Sequence, residues 1–389
     1  MEEFRQSLRD ELVSDILVFW INRMQDNENG GFYGCIDGNG RLHKEANKGA
    51  ILNARILWTF SAAYRIFKNP DYLSIAVRVR KYLQDYFWDN ELGGIYWELD
   101  YKGNPVNTKK QIYAQGFALY GFSEYYRATN DIESLEMAKK LFFLIEQHSY
   151  DNVYGGYLEA FTREWQPIDD MRLSNKDANE KKTMNTHLHI LEPYTNLLRV
   201  WKGKELIEAQ HKLIDIFSDK ILNPQTGHLN LFFDEQWNCK SEKISYGHDI
   251  EASWLLLEAA EELENDALVH KIRQISLKIV EAALEGFQPD GSMFYESDGI
   301  NRDTDRHWWV QAETVVGLYY AYLNSGKDEY LDKSRQCWQY IQQHLLDKEH
   351  GEWFWSVDED GKSNTRDDKA GFWKCPYHNA RMCMEIIDS

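Results

Sequence analysis

The sequence predicts an all-α fold, an (α/α)6 barrel of six helical hairpins joined by short β-hairpins, on three observations. A glycine-aromatic motif recurs six times along the 389 residues. Two helical patterns separate each copy from the next. Those patterns alternate between amphipathic and almost wholly apolar.

The motif is clearest in GGFYG, residues 30–34, within DNENGGFYGCIDGNGRL. It returns as GGIYWELDYKGNP, GGYLEAFTREW, GHLNLFFDEQW, GSMFYESDG and GEWFWSVDEDG. The glycine beside each apolar run is residue 31, 94, 156, 227, 291 or 351, giving steps of 63, 62, 71, 64 and 60. A near-constant period over a whole chain marks a repeat architecture. Within each copy, glycine admits a tight backbone turn. Alternating aromatics such as Ile95-Tyr96-Trp97 favour strand, and DGNG, DYKG and DEDG supply turns. Six short hairpins are therefore expected.

Helices are expected at 3–24, 49–67, 71–87, 111–128, 132–148, 183–202, 204–220, 247–263, 266–286, 308–325, 328–346 and 377–387. PDYLSIAVRVRKYL and DEYLDKSRQCWQYI both set a tyrosine ten residues before another, at 72 and 82 and at 330 and 340. IESLEMAKKLFFLI fits the same frame through Leu135 and Ile145. One apolar face and one charged face suit an outer helix. AILNARILWTFSAAY, IYAQGFALYGFSEYY, HDIEASWLLLEAA and VQAETVVGLYYAY are apolar nearly all round and rich in small residues, as buried helices are. Six of each kind in alternation give one closed catalytic domain spanning residues 1–389. All six hairpins, and the N-termini of all six inner helices, then face one end of the barrel.

Composition narrows the function. The chain carries 44 basic and 63 acidic residues, a net charge of −19, which offers nucleic acid no basic surface. No apolar run approaches a membrane span of roughly 18 residues, and MEEFRQSLRDELVSDIL lacks the apolar core of a signal peptide. The five cysteines, 35, 239, 337, 375 and 383, are scattered and odd in number, which suits reduced thiols in a cytoplasmic protein and no zinc site. The 14 tryptophans exceed what a core needs if some stack on sugar rings. No phosphate-binding loop, dinucleotide fingerprint, GxSxG elbow or HExxH motif is present.

Polar residues inside otherwise apolar helices single out candidates. Arg55 interrupts ILNARILW, and a buried guanidinium serves either a structural ion pair or an oxyanion clamp. His189 shares a helix face with Asn185 one turn earlier; alone it reads as readily as a satisfied core histidine. His248 in SYGHDIEASW and His378 in WKCPYHNARM lie 130 residues apart, about two repeats, so both sit at the first turn of an inner helix. Glu251 follows His248 at i+3 and reads as its orienter. Histidine titrates near neutrality, so two in register at one cleft can exchange the roles of base and acid. Proton removal from a carbon next to a carbonyl, with return from the other face, uses such a pair. An inverting glycosidase would instead need two carboxylates, and Glu251 and Glu313 are inner-helix candidates.

KGAILNARILW, KKTMNTHLHILE, SYGHDIEASW, RHWWVQAETVVG and FWKCPYHNARMCMEI, in order from about residue 5 to 387, resemble the cellobiose 2-epimerase group of the N-acylglucosamine 2-epimerase superfamily. Mannobiose 2-epimerases stand in the same group. The resemblance implies the same barrel and interconversion of glucose and mannose at the reducing end of β-1,4-linked disaccharides. It implies ring opening, loss of the C2 proton, a cis-enediol, and reprotonation on the opposite face. By motif, His248 and His378 would be the acid/base pair. His189 would act near the ring oxygen and Arg55 would hold the oxygens of the intermediate. Tyr113, Asp177, Asn185, Glu251, Trp308 and Trp373 match binding positions. No metal or other cofactor is implied. An aldose–ketose isomerase, an (α/α)6 glycoside hydrolase and a non-catalytic sugar-binding protein are the competing readings. The sequence leaves open whether the chain works as a monomer or a homodimer.

Overall fold

A computed structural model describes residues 1–174 and 176–389. The predicted helices are all present among them. The first, α1, is Glu2–Glu11 continued through a π-helical turn at Leu12–Ile16 into Leu17–Arg23. There follow α2 (Ala50–Phe67), α3 (Pro70–Tyr82), α4 (Ile112–Thr129), α5 (Ile132–His148) and α6 (Met184–Leu198). The second half holds α7 (Lys204–Ile216), α8 (Tyr246–Glu261), α9 (Asp266–Ala283), α10 (Trp308–Ser325), α11 (Asp328–His344) and α12 (His378–Asp388). Helices α3 and α7 each tighten or widen at the end into a π turn, Leu83–Phe87 and Phe217–Ile221.

The even-numbered helices form the inner ring. Each packs on the next, α2 on α4 and so on to α10 on α12, and α12 returns to α2 to close it. Each odd-numbered helix backs the inner helix of its own repeat, and α1 backs α12. The inner helices are buried from the first turn, as their all-round apolar sequences require. The outer helices bury one stripe and start on sequence-encoded caps: the Asn69 side chain accepts from the Asp71 N–H, and Asp131 from Ser134.

Close approach inside the ring has a local cause at α4 and α6. A Cβ on Gly116 would lie 2.5 Å from the His189 carbonyl oxygen. That oxygen stands four residues before Pro193, which has no N–H to offer it. Glycine on one helix and proline on the other thus let the two backbones meet beside His189.

The hairpins bear out the repeat and add to it. All six motif glycines, 31, 94, 156, 227, 291 and 351, have positive φ, from 64° to 89°. A short antiparallel bridge closes each loop: Gln25 with Phe32, Trp88 with Ile95, Tyr150 with Tyr157, Leu222 with Leu229, Phe287 with Met293, Leu346 with Trp353. The hairpins are not self-contained, however. The strand leading into each inner helix pairs with the following hairpin: Lys48–Gly49 with Glu98–Leu99, Lys110–Gln111 with Ala160–Phe161, Lys182–Thr183 with Phe232–Phe233. Ile36 pairs with Ala370, joining the last repeat to the first.

A buried ion pair pins four of the six loops. Lys48, Lys110, Lys182 and Lys369 each reach back to an aspartate that follows an outer helix, Asp26, Asp89, Asp151 and Asp347, at 2.8, 3.0, 2.7 and 2.5 Å. Each aspartate also accepts N–H groups of its own turn, as Asp26 does from Glu28 and Asn29. These pairs fix the rim on which the cavity opens.

Candidate active site

The hairpin end of the ring holds a cavity of about 860 Å³. All ten residues singled out from the sequence line it: Arg55, Tyr113, Asp177, Asn185, His189, His248, Glu251, Trp308, Trp373 and His378. They come from all six inner helices and from the loops above them, because every inner helix starts at this end.

Each histidine is held by a different device. His378 is the first residue of α12, and its Nδ1 lies 2.7 Å from Glu313 Oε1 on α10. A carboxylate there accepts a hydrogen bond from Nδ1–H, which keeps the proton on Nδ1 and leaves Nε2 free to act as a base. His248 stands in the first turn of α8, with Nδ1 2.8 Å from Ser245 Oγ. The next residue, Asp249, is anchored by His228 Nδ1 at 2.7 Å and by the Leu229 N–H, so the turn that presents His248 is tied down. His189 Nδ1 pairs with Glu192 Oε2 at 3.0 Å, one turn along α6. The Trp309 indole lies against both His248 and His378, with ring centroids 4.8 and 5.6 Å away.

Burial keeps these imidazoles neutral. It pushes His248 down to about 3, with His189 adding to the effect. It pushes His378 well below the ordinary histidine range, helped by the positive charges of Arg55 and Arg381. His189 is lowered by the same cause, against the pull of Glu192.

Arg55 has no carboxylate partner. Its Nη2 donates to Tyr113 Oη at 2.9 Å and its Nη1 to the Trp373 carbonyl at 3.4 Å, while Nε is buried without an acceptor. The guanidinium sits over the Phe117 and Tyr377 rings, at 4.2 and 4.8 Å from their centroids. The ion-pair reading of Arg55 is therefore excluded among the described residues. A charged donor group is left facing the cavity.

Glu251 does not orient His248. It accepts from Arg381 Nη2 at 2.6 Å and lies 3.8 Å from His378 Nδ1. One helical turn does separate Glu251 from His248, but α8 is rotated so that Glu251 faces α12. The other predicted residues keep to the wall: the Asn185 Oδ1 and Trp308 Nε1 atoms have no partner among the described residues, and Asp177 accepts from the Ser174 N–H and hydroxyl.

Several supporting residues were not found from the sequence. Glu192, on α6, binds the Tyr377 hydroxyl and Arg381 as well as His189. Arg381, on α12, is fully buried and could have been flagged by the same argument as Arg55. Glu159 accepts from the Thr183 N–H and the Thr186 hydroxyl, pinning the first turn of α6 that carries Asn185. Among the described residues, the group with metal-ligand spacing is Glu251, Glu313 and His378. Arg381 Nη2 lies 2.6 Å from an oxygen of each of these glutamates and already supplies the positive charge there.

Comparison with known proteins decides the family. Residues 31–381 match the profile of N-acylglucosamine 2-epimerase (GlcNAc 2-epimerase). The chain belongs to the N-acylglucosamine 2-epimerase family. Within that family it is 56% identical over 388 residues to a cellobiose 2-epimerase of Bacteroides fragilis, covering 99% of each chain. It is 39% identical over 381 residues to a cellobiose 2-epimerase of Ruminococcus albus, covering 98% of this chain and 97% of that one. The structure of a cellobiose 2-epimerase from Bacillus thermoamylovorans superposes with a TM-score of 0.96 at 42% identity, over 100% of both chains. The (α/α)6 barrel is thus the fold of this N-acylglucosamine 2-epimerase family member. No helix among its described residues is long and apolar enough to cross a membrane.

Proposed function

We propose that the chain, as one catalytic unit over residues 1–389, is a carbohydrate epimerase of the cellobiose 2-epimerase type. It inverts C2 of the reducing-end residue of a β-1,4-linked disaccharide. The 56% identity across nearly the whole length carries the activity. The contact of both His248 and His378 with one indole, in one cavity, supports the chemistry.

The steps follow from the groups present. Ring opening frees the C1 aldehyde, and in this reading His189, whose Nδ1 pairs with Glu192, exchanges the proton of the ring oxygen. The carbonyl acidifies the C2 hydrogen. One of His248 and His378 takes that proton through a neutral ring nitrogen, and the C–H electron pair moves into a C1–C2 double bond. The carbonyl oxygen gains negative charge, and the donors of Arg55 stabilise the resulting cis-enediolate. The second histidine takes a proton from water once that charge is present and returns it to the opposite face of C2, while the C1 carbonyl re-forms. Solvent then resets both rings. Reversal of the reaction exchanges the two roles. Trp308 and Trp373 offer aromatic faces for the sugar rings, and Tyr113, Asn185 and Asp177 hydrogen-bonding groups for its hydroxyls.

The test is incubation with cellobiose and, separately, β-1,4-mannobiose in deuterated water, followed by proton NMR. Deuterium at C2 of an intact, C2-inverted disaccharide is expected, and the faster substrate sets the preference. Free monosaccharides would mean hydrolysis, and a 2-keto product an isomerase. Either would overturn the reading.

A further inference from the structure

Three carboxylates from three inner helices meet on one guanidinium. Arg381 donates from Nη1 to Glu192 Oε1, and from Nη2 to Glu251 Oε1 and Glu313 Oε1 at 2.6 Å each. All four side chains are at most 1% exposed. Two buried guanidinia, Arg381 and the unpaired Arg55, balance two carboxylates. A third ionised carboxylate would leave a bare negative charge with no water around it, which is the costliest arrangement a protein interior can hold.

Hydrogen-bond inventory says which of the three is neutral. Glu192 uses both oxygens as acceptors, Oε1 for Arg381 and Tyr377 and Oε2 for His189. Glu313 does the same, Oε1 for Arg381 and His378 and Oε2 for the Trp254 indole N–H at 3.2 Å. A carboxyl with hydrogen-bond partners at both oxygens is favoured in its ionised form, whereas one with an unengaged oxygen has room for a proton. Glu251 differs: Oε1 accepts from Arg381, and Oε2 is buried with no partner among the described residues. Glu251 lines the cavity, and Glu313 does not.

We propose that Glu251 is a neutral carboxylic acid at working pH, and that its carboxyl, shielded at Oε2 in the free protein, turns its O–H on substrate binding toward the sugar oxygen on which charge builds as C2 loses its proton. The inference rests on the epimerase reading for the identity of that oxygen, and on the structure alone for the proton. Neutral carboxyl and charged Arg55 then act together as an oxyanion site: two donors, of which one adds no net charge to the core. The groups facing Glu251 are Glu192, Glu313, Arg381, His378, Tyr113 and Tyr377. Burial and the Glu313 charge raise its pKa well above the carboxylate range, against the pull of Arg381.

Infrared difference spectroscopy on the whole protein without substrate tests the proton directly. The expected result is a carbonyl band of a protonated carboxylic acid at neutral pH that wild type has and Glu251→Gln lacks, beside any band that other buried carboxyls such as Glu11 and Glu159 give to both. No such band in the wild-type-minus-variant difference overturns the proposal. Should Glu251→Gln fail to fold, Glu251→Asp stands in: with carboxyl-13C glutamate the wild-type band shifts, and in the labelled aspartate variant the shifted band is expected to be replaced by one at the unlabelled position. The donor role is read separately from C2 exchange rates. Glu251→Ala is expected to lose about 10²–10³-fold in kcat, the usual cost of one oxyanion donor. Glu251→Gln keeps an N–H donor and is expected to recover at least about tenfold of that loss. A glutamine variant no better than the alanine variant overturns the donor role. Failure of wild type to exchange C2 would count against the epimerase reading and leave the infrared result standing.

Discussion

Replacement of Glu313 by glutamine isolates what one buried carboxylate does for His378. Glu313 does not line the cavity; it reaches the substrate through the 2.7 Å contact from its Oε1 to His378 Nδ1 and, less directly, through Arg381, which it shares with Glu251. Glutamine is nearly the same size and can still reach both His378 and Arg381. What it loses is charge: a hydrogen bond to an ionised partner is worth about 1.5–3 kcal/mol, against about half that for a neutral one. If the amide turns its NH2 toward Nδ1, the proton moves to Nε2 and the ring ceases to be a base. The difference between the charged and the neutral bond, about 0.7–1.5 kcal/mol, corresponds to about a 3- to 13-fold fall in kcat if the amide keeps its oxygen toward Nδ1. KM should change little, because no cavity wall is altered. The assay is the initial rate of deuterium uptake at C2, followed by proton NMR over a range of disaccharide concentrations. An unchanged kcat, or a loss confined to KM, would show that His378 does not depend on Glu313 for its tautomer, and the positioning argument would fail.

Four further outcomes are expected. His248→Ala and His378→Ala should each lower C2 exchange by about 10²–10⁴-fold while circular dichroism and Tm stay near wild type; an active single variant would remove that histidine from the acid/base pair. Lys48→Met leaves Asp26 buried without its cation and should destabilise the fold by about 3–5 kcal/mol, read from denaturant unfolding, with Lys48→Met/Asp26→Leu recovering part of it. Gly116→Ala places a methyl 2.5 Å from the His189 carbonyl oxygen and should cost about 1–3 kcal/mol of stability together with a loss of kcat. Burial lowers His187 from 6.5 to about 4 and His248 from 6.5 to about 3, so below 6.5 these two groups bind more protons in the unfolded chain than in the folded one. Their contribution to stability should therefore fall as pH drops from 6.5 toward 3; His187→Gln should lose less Tm over that window than wild type, and an equal loss would show His187 to titrate normally in the fold.

Much of the architecture was readable along the chain. The six glycines with positive φ are spaced by the motif itself, and the turn residues around them act over a few positions. The division into buried and amphipathic helices follows from local periodicity, and it places Arg55, Asn185, His189, His248, Trp308 and His378 at the same end without knowledge of any contact. The loop anchors were less legible. Lys48 and Asp26 lie 22 residues apart, and nothing in either segment marks them as partners. The same holds for Ile36 and Ala370, whose pairing closes the ring.

Sequence alone determined the helices, their order, the level of each candidate along its own helix, and the family resemblance. All of these are set by short-range sterics, by hydrophobic period or by motifs that stand in linear order. Only the tertiary structure decided which side chain meets which: Glu313 with His378, Glu251 with Arg381 rather than with His248, and Arg55 with no carboxylate. Those pairings depend on how far each inner helix is turned about its own axis. That rotation is fixed by the packing of two neighbours and an outer helix at once, which no single segment of the chain encodes.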